Sequence, residues 1–410
     1  MLLKNIMDNP ISSLIYLERY INNGSLSGFS KTFSTSSKYD PFEGVENFKL
    51  SLIHIPISEV KIFGEIPSEY NRFFHDSEGY FTFPMHPDTI NDIRDNIKYK
   101  ISESSFNVNP TSSGRTVSVN HQGNIFYLKL HYNKILCRAK RELPYRKASA
   151  GVEISEILEK HMNNNDFEDS FSIFRELFSV NVTFNNTEYG FVFREGKPYK
   201  SKPNNFPIIP FFSLTAKDIK AQNDDYLLLQ ILEQYTNKKK ILLTKIIYPI
   251  LSFYIKMIKD IGITPELNAQ NILLELDSKS KISRVIIRDH MGTEKDITLR
   301  KKLGLYTDFV SYNYKIIDIS INEALYFKRH SFQYDFKLCK YVIEPILEVY
   351  CKNYNEDLNK LIKLVKEKFI KEIGDFRFEY FKPYNKWYSH PKIQFKETRE
   401  YISHTNTEYR

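Results

Sequence analysis

The stretch RTVSVNHQGNIFYLKLH, residues 115–131, reads as two β-like runs joined at HQGN, a hairpin turning at Gly123. Its entrance carries Ser112, Ser113, Arg115 and Thr116, and Lys129 stands on the returning strand. A turn centred between Gln122 and Gly123 sets Thr116 opposite Lys129. A slip of one residue pairs Arg115 with Lys129 instead and changes the facing side. Arg141 follows twelve residues after Lys129. Hydroxyls plus three cations on a β-ribbon supply what a triphosphate requires: charge neutralisation and directed donors. Thr, Lys and Arg also fill the exposed face of an ordinary strand, so the ribbon alone leaves both readings open.

A second hairpin lies at NILLELDSKSKISRVIIRD, residues 271–289. With the turn centred at Ser280, Asn271 and Asp289 sit side by side at its open end. An Asn carbonyl and an Asp carboxylate make a hard oxygen pair of the kind that holds Mg²⁺ on a nucleotide, and protein kinases use the same two residue types. Glu266, Asn268, Gln270 and Arg288 crowd the same end. The alternative is a solvated hairpin end, where polar residues cost nothing.

Outward from the hairpins, FKLSLIHI, VKIFGEI and YFTFPM between 47 and 85 read as short strands. Residues 1–22 read as helical, with Ile11, Leu14, Ile15 and Leu17 on one apolar side. The Ser- and Gly-rich segment 23–39 reads as a mobile loop or one that orders over a site. The pattern predicts helix over 153–180 and a strand pair over 181–194. Further helices are expected at 225–236, 240–260, 315–328, 334–351 and 355–373, with Gly262 ending the second of these. His86 reads as structural, and Trp387 belongs to a Tyr-rich, packed C-terminal segment.

At 410 residues the chain has room for two or three lobes. Its 28 Tyr and 31 Phe must largely pack in cores or line a cleft. The net charge of +8 suits an anionic ligand such as a nucleotide or an acidic substrate. Without a basic stripe or a recognition motif it does not indicate nucleic-acid binding. Cys137, Cys339 and Cys351 are too few and too scattered for a disulfide framework or a zinc site, and read as small buried hydrophobes. The longest apolar run, Ile246 to Ile255, contains Pro249 and reaches about half of a bilayer span. The start, MLLKNIMDNP, lacks the pattern of a signal peptide. The expectation is a cytoplasmic protein with no membrane contact.

Taken in order, the motifs are Ser113-Gly114-Arg115-Thr116, Lys129, Arg141, Glu266-Leu267-Asn268-Ala269-Gln270-Asn271 and Arg288-Asp289-His290-Met291-Gly292. Phe83-Pro84-Met85-His86-Pro87 precedes them. This ordered set resembles the NRPS-independent siderophore synthetases, the aerobactin synthetase-like family of IucA/IucC type, over roughly residues 80–300. The resemblance implies an α+β fold with ATP in a cleft between β-rich fingers and a mostly helical palm. The corresponding divisions are a reduced, thumb-like N-terminal lobe at 1–80, fingers at 81–200 and palm at 201–410. It implies that Ser113, Arg115, Thr116, Lys129 and Arg141 hold the phosphates and that Gln270 and Asn271 place the nucleotide. Glu266 and Asp289 would hold Mg²⁺, and Arg141 and Asn268 would occupy the catalytic positions.

The implied activity is ATP-dependent ligation. A carboxylic acid, citrate-like in much of the family, is adenylated and then joined to an amine, hydroxylamine or alcohol. A homodimer is compatible with this. The chain departs from the family in carrying Asn268 where a His is usual, and in lacking an earlier His-Pro-x-x-Lys element. Asn donates a hydrogen bond but carries no proton or charge. A degenerate, non-catalytic nucleotide or partner binder is therefore the first alternative. A kinase-like phosphotransferase is the second, although the chain has neither an HRD-type loop nor a glycine-rich loop.

Overall fold

The computed structural model describes residues 2–22, 38–75, 78–121, 124–136, 139–164, 167, 169–200, 207–221, 225–311, 314–390 and 400–410. Two helices, α1 (Leu3–Asp8) and α2 (Pro10–Tyr20), open the chain. Pro10 occupies the first turn of α2, where its missing N–H has no helical partner to lose. Leu14 and Leu17 are buried, and Ile11 and Ile15 are half-buried. The segment expected to be a loop over the site falls, from 23 to 37, outside the described residues, as does Cys137.

The strands follow as β1 (Phe48–Pro56), β2 (Lys61–Gly64), β3 (Tyr80–Met85), β4 (Ile101–Pro110), β5 (Thr116–His121) and β6 (Asn124–Leu130). Next come β7 (Tyr132–Leu136), β8 (Ala139–Arg141), β9 (Phe171–Ile173), β10 (Glu176–Phe184) and β11 (Thr187–Glu195). Eight of these form one antiparallel sheet in the order β2-β10-β11-β6-β5-β4-β1-β3. The sheet draws β1 and β2 from one side of the expected boundary at residue 80 and the other strands from the far side. One face is filled by rings: Phe178 stacks on Phe193 with centroids 4.7 Å apart, and Phe74, Phe81, Phe126 and Phe191 complete the cluster. Thr116 pairs with Lys129, the register of a turn centred between Gln122 and Gly123.

A smaller sheet is built from β12 (Ile208–Pro210), β13 being a two-residue strand elsewhere (Ile263–Thr264), with β14 (Ile272–Leu276) and β15 (Ile282–Ile287). Its order is β12-β14-β15-β9, and only the β15–β9 pair is parallel. Here two expectations are corrected. A register shift between Glu275 and Leu276 moves the hairpin by one residue, so Ile272 pairs with Ile287. Asn271 therefore faces Arg288, whose N–H donates to the Asn271 carbonyl at 2.9 Å, and not Asp289. The second correction is that the helix Tyr145–Asn163 stops before 170, and the following apolar run forms β9 and β10. A short run such as FSIF has no period long enough to separate helix from strand, and pairing with β15 decides it.

Helices dominate the remainder. Lys238–Ile261 is one continuous helix, closed by Gly262 at φ +65°. It contains Pro249, and the wide π turns at Leu242–Ile247 just upstream accommodate the lost N–H. By length and composition alone this helix could span a bilayer, but its apolar side chains are mostly buried in the largest core cluster. The expected helix at 225–236 is only Leu227–Leu232. The one expected at 315–328 is displaced to Glu323–Ser331, where Asn322 caps it by accepting from the Leu325 N–H at 2.9 Å. Phe332–Ile343, Glu344–Tyr354 and Leu358–Ile373 fall close to expectation.

His86 is buried and accepts from the Asp88 N–H at 3.1 Å, capping the helix Pro87–Ile93 as a structural residue. Cys339 and Cys351 are buried and free. Arg410 is also buried: its Nε donates to both Asp335 oxygens at 3.0 and 2.9 Å, and its guanidinium lies 4.1 Å from the Phe381 ring centre.

Candidate active site

β5 and β6 turn their aliphatic residues Val117, Val119 and Leu128 into the ring-filled core. By strand alternation Thr116, Ser118, Tyr127 and Lys129 face the opposite side. On that side the ammonium of Lys129 pairs with the Asp289 carboxylate, bringing together residues 160 apart in sequence. Arg194 on β11 stands 3.9 Å from the same carboxylate and pairs with Glu176 at 2.8 Å. Burial would raise the Asp289 pKa. The charges of Lys129, Arg194 and Arg115 outweigh it and hold the group far below the usual carboxylate range.

Arg115 is buried and donates from Nη1 to the Arg141 carbonyl at 2.8 Å. Burial and the Arg141 charge lower its pKa to about 10. Lys147, in the first turn of the helix Tyr145–Asn163, joins this group. Burial followed by Arg115, Lys129 and Arg141 brings it down to about 8. Converging cations are unfavourable without an anion, and a lysine at a helix N-terminus opposes the helix dipole as well. Lys147 was missed by the sequence reading. The pair Arg146-Lys147 just after Pro144, at a helix start where acids are preferred, was the available signal.

The turn before β5 is held from within. Gly114 takes φ +72°, Ser113 Oγ accepts from the Thr116 N–H at 3.0 Å, and Thr111 Oγ1 donates to the Thr116 carbonyl at 2.8 Å. Ser113 and Thr116 thus shape the turn as well as standing in it.

Glu266 and Asp289 border one small cavity with Arg288, His290 and Thr293. Lys337, from the helix segment Phe332–Ile343, pairs with Glu266. Against the effect of burial, Lys337 and Lys315 lower the Glu266 pKa to about 2. Gly292 makes the approach possible, since a Cβ there would lie 1.8 Å from Glu266 Oε2. Both carboxylates offer hard oxygens of the type a small divalent cation takes, and each is paired here with a lysine. No group of three or more His, Cys, Asp or Glu stands ready to hold a metal among the described residues.

The loop Glu266–Asn271 uses several of its own polar groups. Asn268 Oδ1 accepts from the N–H groups of Gln270 and Asn271 at 3.0 and 3.1 Å. Asn271 Nδ2 donates to the Glu266 carbonyl at 3.2 Å, and Gln270 Nε2 donates to Ser112 Oγ at 3.1 Å. Of the sequence-predicted set, Arg115, Lys129, Arg141, Glu266 and Asp289 lie close enough for their charges to act on one another. Ser113, Asn268, Gln270 and Asn271 hold the shape of the turn and loop that carry them. A neighbouring cavity, lined by Ile11, Leu14, Ile15, Ser118, Tyr127 and Ile208, continues along the same sheet face.

Residues 58–216 match the family model described as IucA / IucC family. No curated protein matches the chain. Among solved structures, the petrobactin biosynthesis protein AsbB from Bacillus anthracis str. Sterne aligns with a TM-score of 0.67 at 16% identity, covering 96% of this chain and 74% of that one. Aerobactin synthetase IucC from a hypervirulent pathotype of Klebsiella pneumoniae gives 0.67 at 14%, covering 84% and 66%. ATP-bound aerobactin synthetase IucA from the same source gives 0.68 at 12%, covering 99% and 80%. The fold is the α+β fold of these synthetases. Over residues 58–216 the chain is similar to the IucA / IucC family, the same resemblance that its ordered motifs carry.

Proposed function

We propose that this protein is an ATP-dependent ligase that activates a carboxylic acid and passes it to an amine, hydroxylamine or alcohol in siderophore or related small-molecule synthesis. The observation that carries the proposal is the convergence of Arg115, Lys129, Arg141 and Lys147 beside the two ionised carboxylates, Glu266 and Asp289. Four cations beside two carboxylates supply the charge that a phosphate chain and its metal ion need. The family match and the likeness to ATP-bound IucA support the same reading.

In this reading the fingers are the eight-stranded sheet and the palm is the helical remainder. The triphosphate lies along Ser113, Arg115, Thr116, Lys129 and Arg141, with the base in the cavity beside Ser118 and Tyr127. Glu266 and Asp289 would hold Mg²⁺, which would supply charge neutralisation at the phosphate oxygens. The acid's carboxylate oxygen attacks the α-phosphorus and pyrophosphate leaves, giving an acyl-adenylate. The nucleophile then displaces AMP and loses one proton. Arg115 and Arg141 orient and stabilise charge without forming a covalent bond, which is most of what such transfers need. Gln270 and Asn271 fix the loop against which the nucleotide rests, and Asn268 offers its side-chain N–H groups to the reacting oxygens. Such chemistry belongs in the cytoplasm, where ATP is supplied.

Thermal denaturation with and without ATP–Mg²⁺ tests the site. A ligand at a hundred times its Kd stabilises the native state by about 2.7 kcal/mol. An unchanged melting temperature with no heat of binding would falsify the assignment. A second reading, a nucleotide binder without turnover, draws on Asn268, whose oxygen is engaged by loop amides and which carries no titrating group. Chromatography of the nucleotide after incubation with candidate acids and amines separates the possibilities. AMP and pyrophosphate mark the ligase, ADP a phosphotransferase, and untouched ATP the binder.

A further inference from the structure

Glu18 lies on α2, far in sequence from every motif, and is only 1% exposed. Its Oε2 accepts from the Ser112 N–H at 3.1 Å and from Ser112 Oγ at 2.5 Å. Its Oε1 pairs with Arg288 Nη1 at 2.5 Å. Ser112 Oγ in turn accepts from Gln270 Nε2, and Arg288 Nε donates to the Gln270 carbonyl at 2.9 Å. These contacts close a ring of four residues from three separate parts of the chain. Ser112 immediately precedes the turn that carries Ser113, Arg115 and Thr116, and Arg288 immediately precedes Asp289.

We propose that Glu18 is a positioning residue: one buried carboxylate fixes the phosphate-binding turn relative to the metal-binding end of the second hairpin. A buried ion pair adds little net stability over an apolar contact of the same size, so anchoring α2 does not by itself call for one. Leu14 and Leu17 already bury the helix, and Tyr16 ties it to Asp218 at 3.0 Å. What the carboxylate adds is direction. It orients Ser112 through two donors and holds Arg288 by charge, and so sets the spacing between two halves of the site that sequence does not join. The proposal rests on the nucleotide site described above.

Two measurements on Glu18→Gln, with Tyr16→Phe as the control that loosens α2 elsewhere, test it. In the nucleotide-free protein, amide hydrogen exchange over residues 112–116 should accelerate at least tenfold in Glu18→Gln and stay unchanged in Tyr16→Phe. The KM for ATP–Mg²⁺ should rise at least fivefold in Glu18→Gln alone, with kcat altered less than twofold because bound nucleotide restores the spacing. Unchanged exchange overturns the proposal, as does faster exchange with an unaltered KM. Wild-type protein indifferent to ATP–Mg²⁺ removes the function proposed above, and exchange alone then decides whether Glu18 holds the turn. If Glu18→Gln does not fold, Ser112→Ala keeps the Arg288 pair and takes both measurements.

Discussion

Asp289 sits at φ 64°, ψ 64°, in the left-handed region that Asp and Asn tolerate better than most residues. Asp289→Asn therefore keeps the backbone but strips the buried Lys129 of its counter-charge. Breaking such a pair on one side costs about 3 kcal/mol. We expect the single variant to lose both turnover and stability. The double variant Lys129→Met with Asp289→Asn should regain most of the stability and none of the turnover. Urea denaturation beside AMP release measures both, and near-normal AMP release from the single variant would remove Asp289 from the metal site. Arg115→Lys is expected to reduce ATP use by about tenfold or more, the equivalent of a charge-assisted contact of roughly 1.5–3 kcal/mol, because the fork that also holds the Arg141 carbonyl cannot be rebuilt from an ammonium. Retained activity would make the ribbon purely structural. At this scale the sequence was informative about which cations and carboxylates gather, since each is a charge within or beside an apolar run. It was silent on Lys147, Arg194, Lys337 and Glu18, whose partners lie far along the chain.

The turn His290–Gly292 shows how an element serves a single side chain. A Cβ at Gly292 would meet Glu266 Oε2 at 1.8 Å and its Cδ at 2.9 Å. Because the side chain can yield more easily than backbone, Gly292→Ala should fold but swing Glu266 away from Lys337. The concentration of Mg²⁺ needed for half-maximal activity is expected to rise several-fold. An unshifted Mg²⁺ titration would show that Glu266 does not hold the cation. The hairpins themselves were readable, because alternating runs around a polar turn have few other solutions. The register of the second was not, since one bulge moves every pair beyond it. β9 was misread because a three-residue strand buried by a distant partner has no periodicity of its own.

For the whole molecule, buried lysines set the response to pH. Lys147 and Lys295 are held at about 8, chiefly by burial, against about 10.4 for the free side chain. Between those values the unfolded chain binds protons that the folded chain does not, so stability should rise with pH from about 8 to about 10. Above that, Tyr254, Tyr334 and Tyr380 reverse the slope. Burial raises their folded values far past the ordinary 10, so the unfolded chain ionises first. Urea midpoints measured across this range should pass through a maximum, and ATP–Mg²⁺ should flatten the rise by keeping Lys147 charged. A midpoint that falls steadily from pH 8 would contradict the burial of these lysines. The α+β class could be read from the chain, but the sheet order could not. Strands such as β2 and β10 meet across more than a hundred residues, and local pattern carries no mark of it. The same distance has a meaning in time. Asp335 waits for Arg410, 75 residues later, to fill the space beside Phe381. During synthesis the chain emerges from its amino end, so the great sheet can close while Asp335 still faces water. A nascent chain that carries the sheet strands but not yet Arg410 would hold Asp335 without its buried partner.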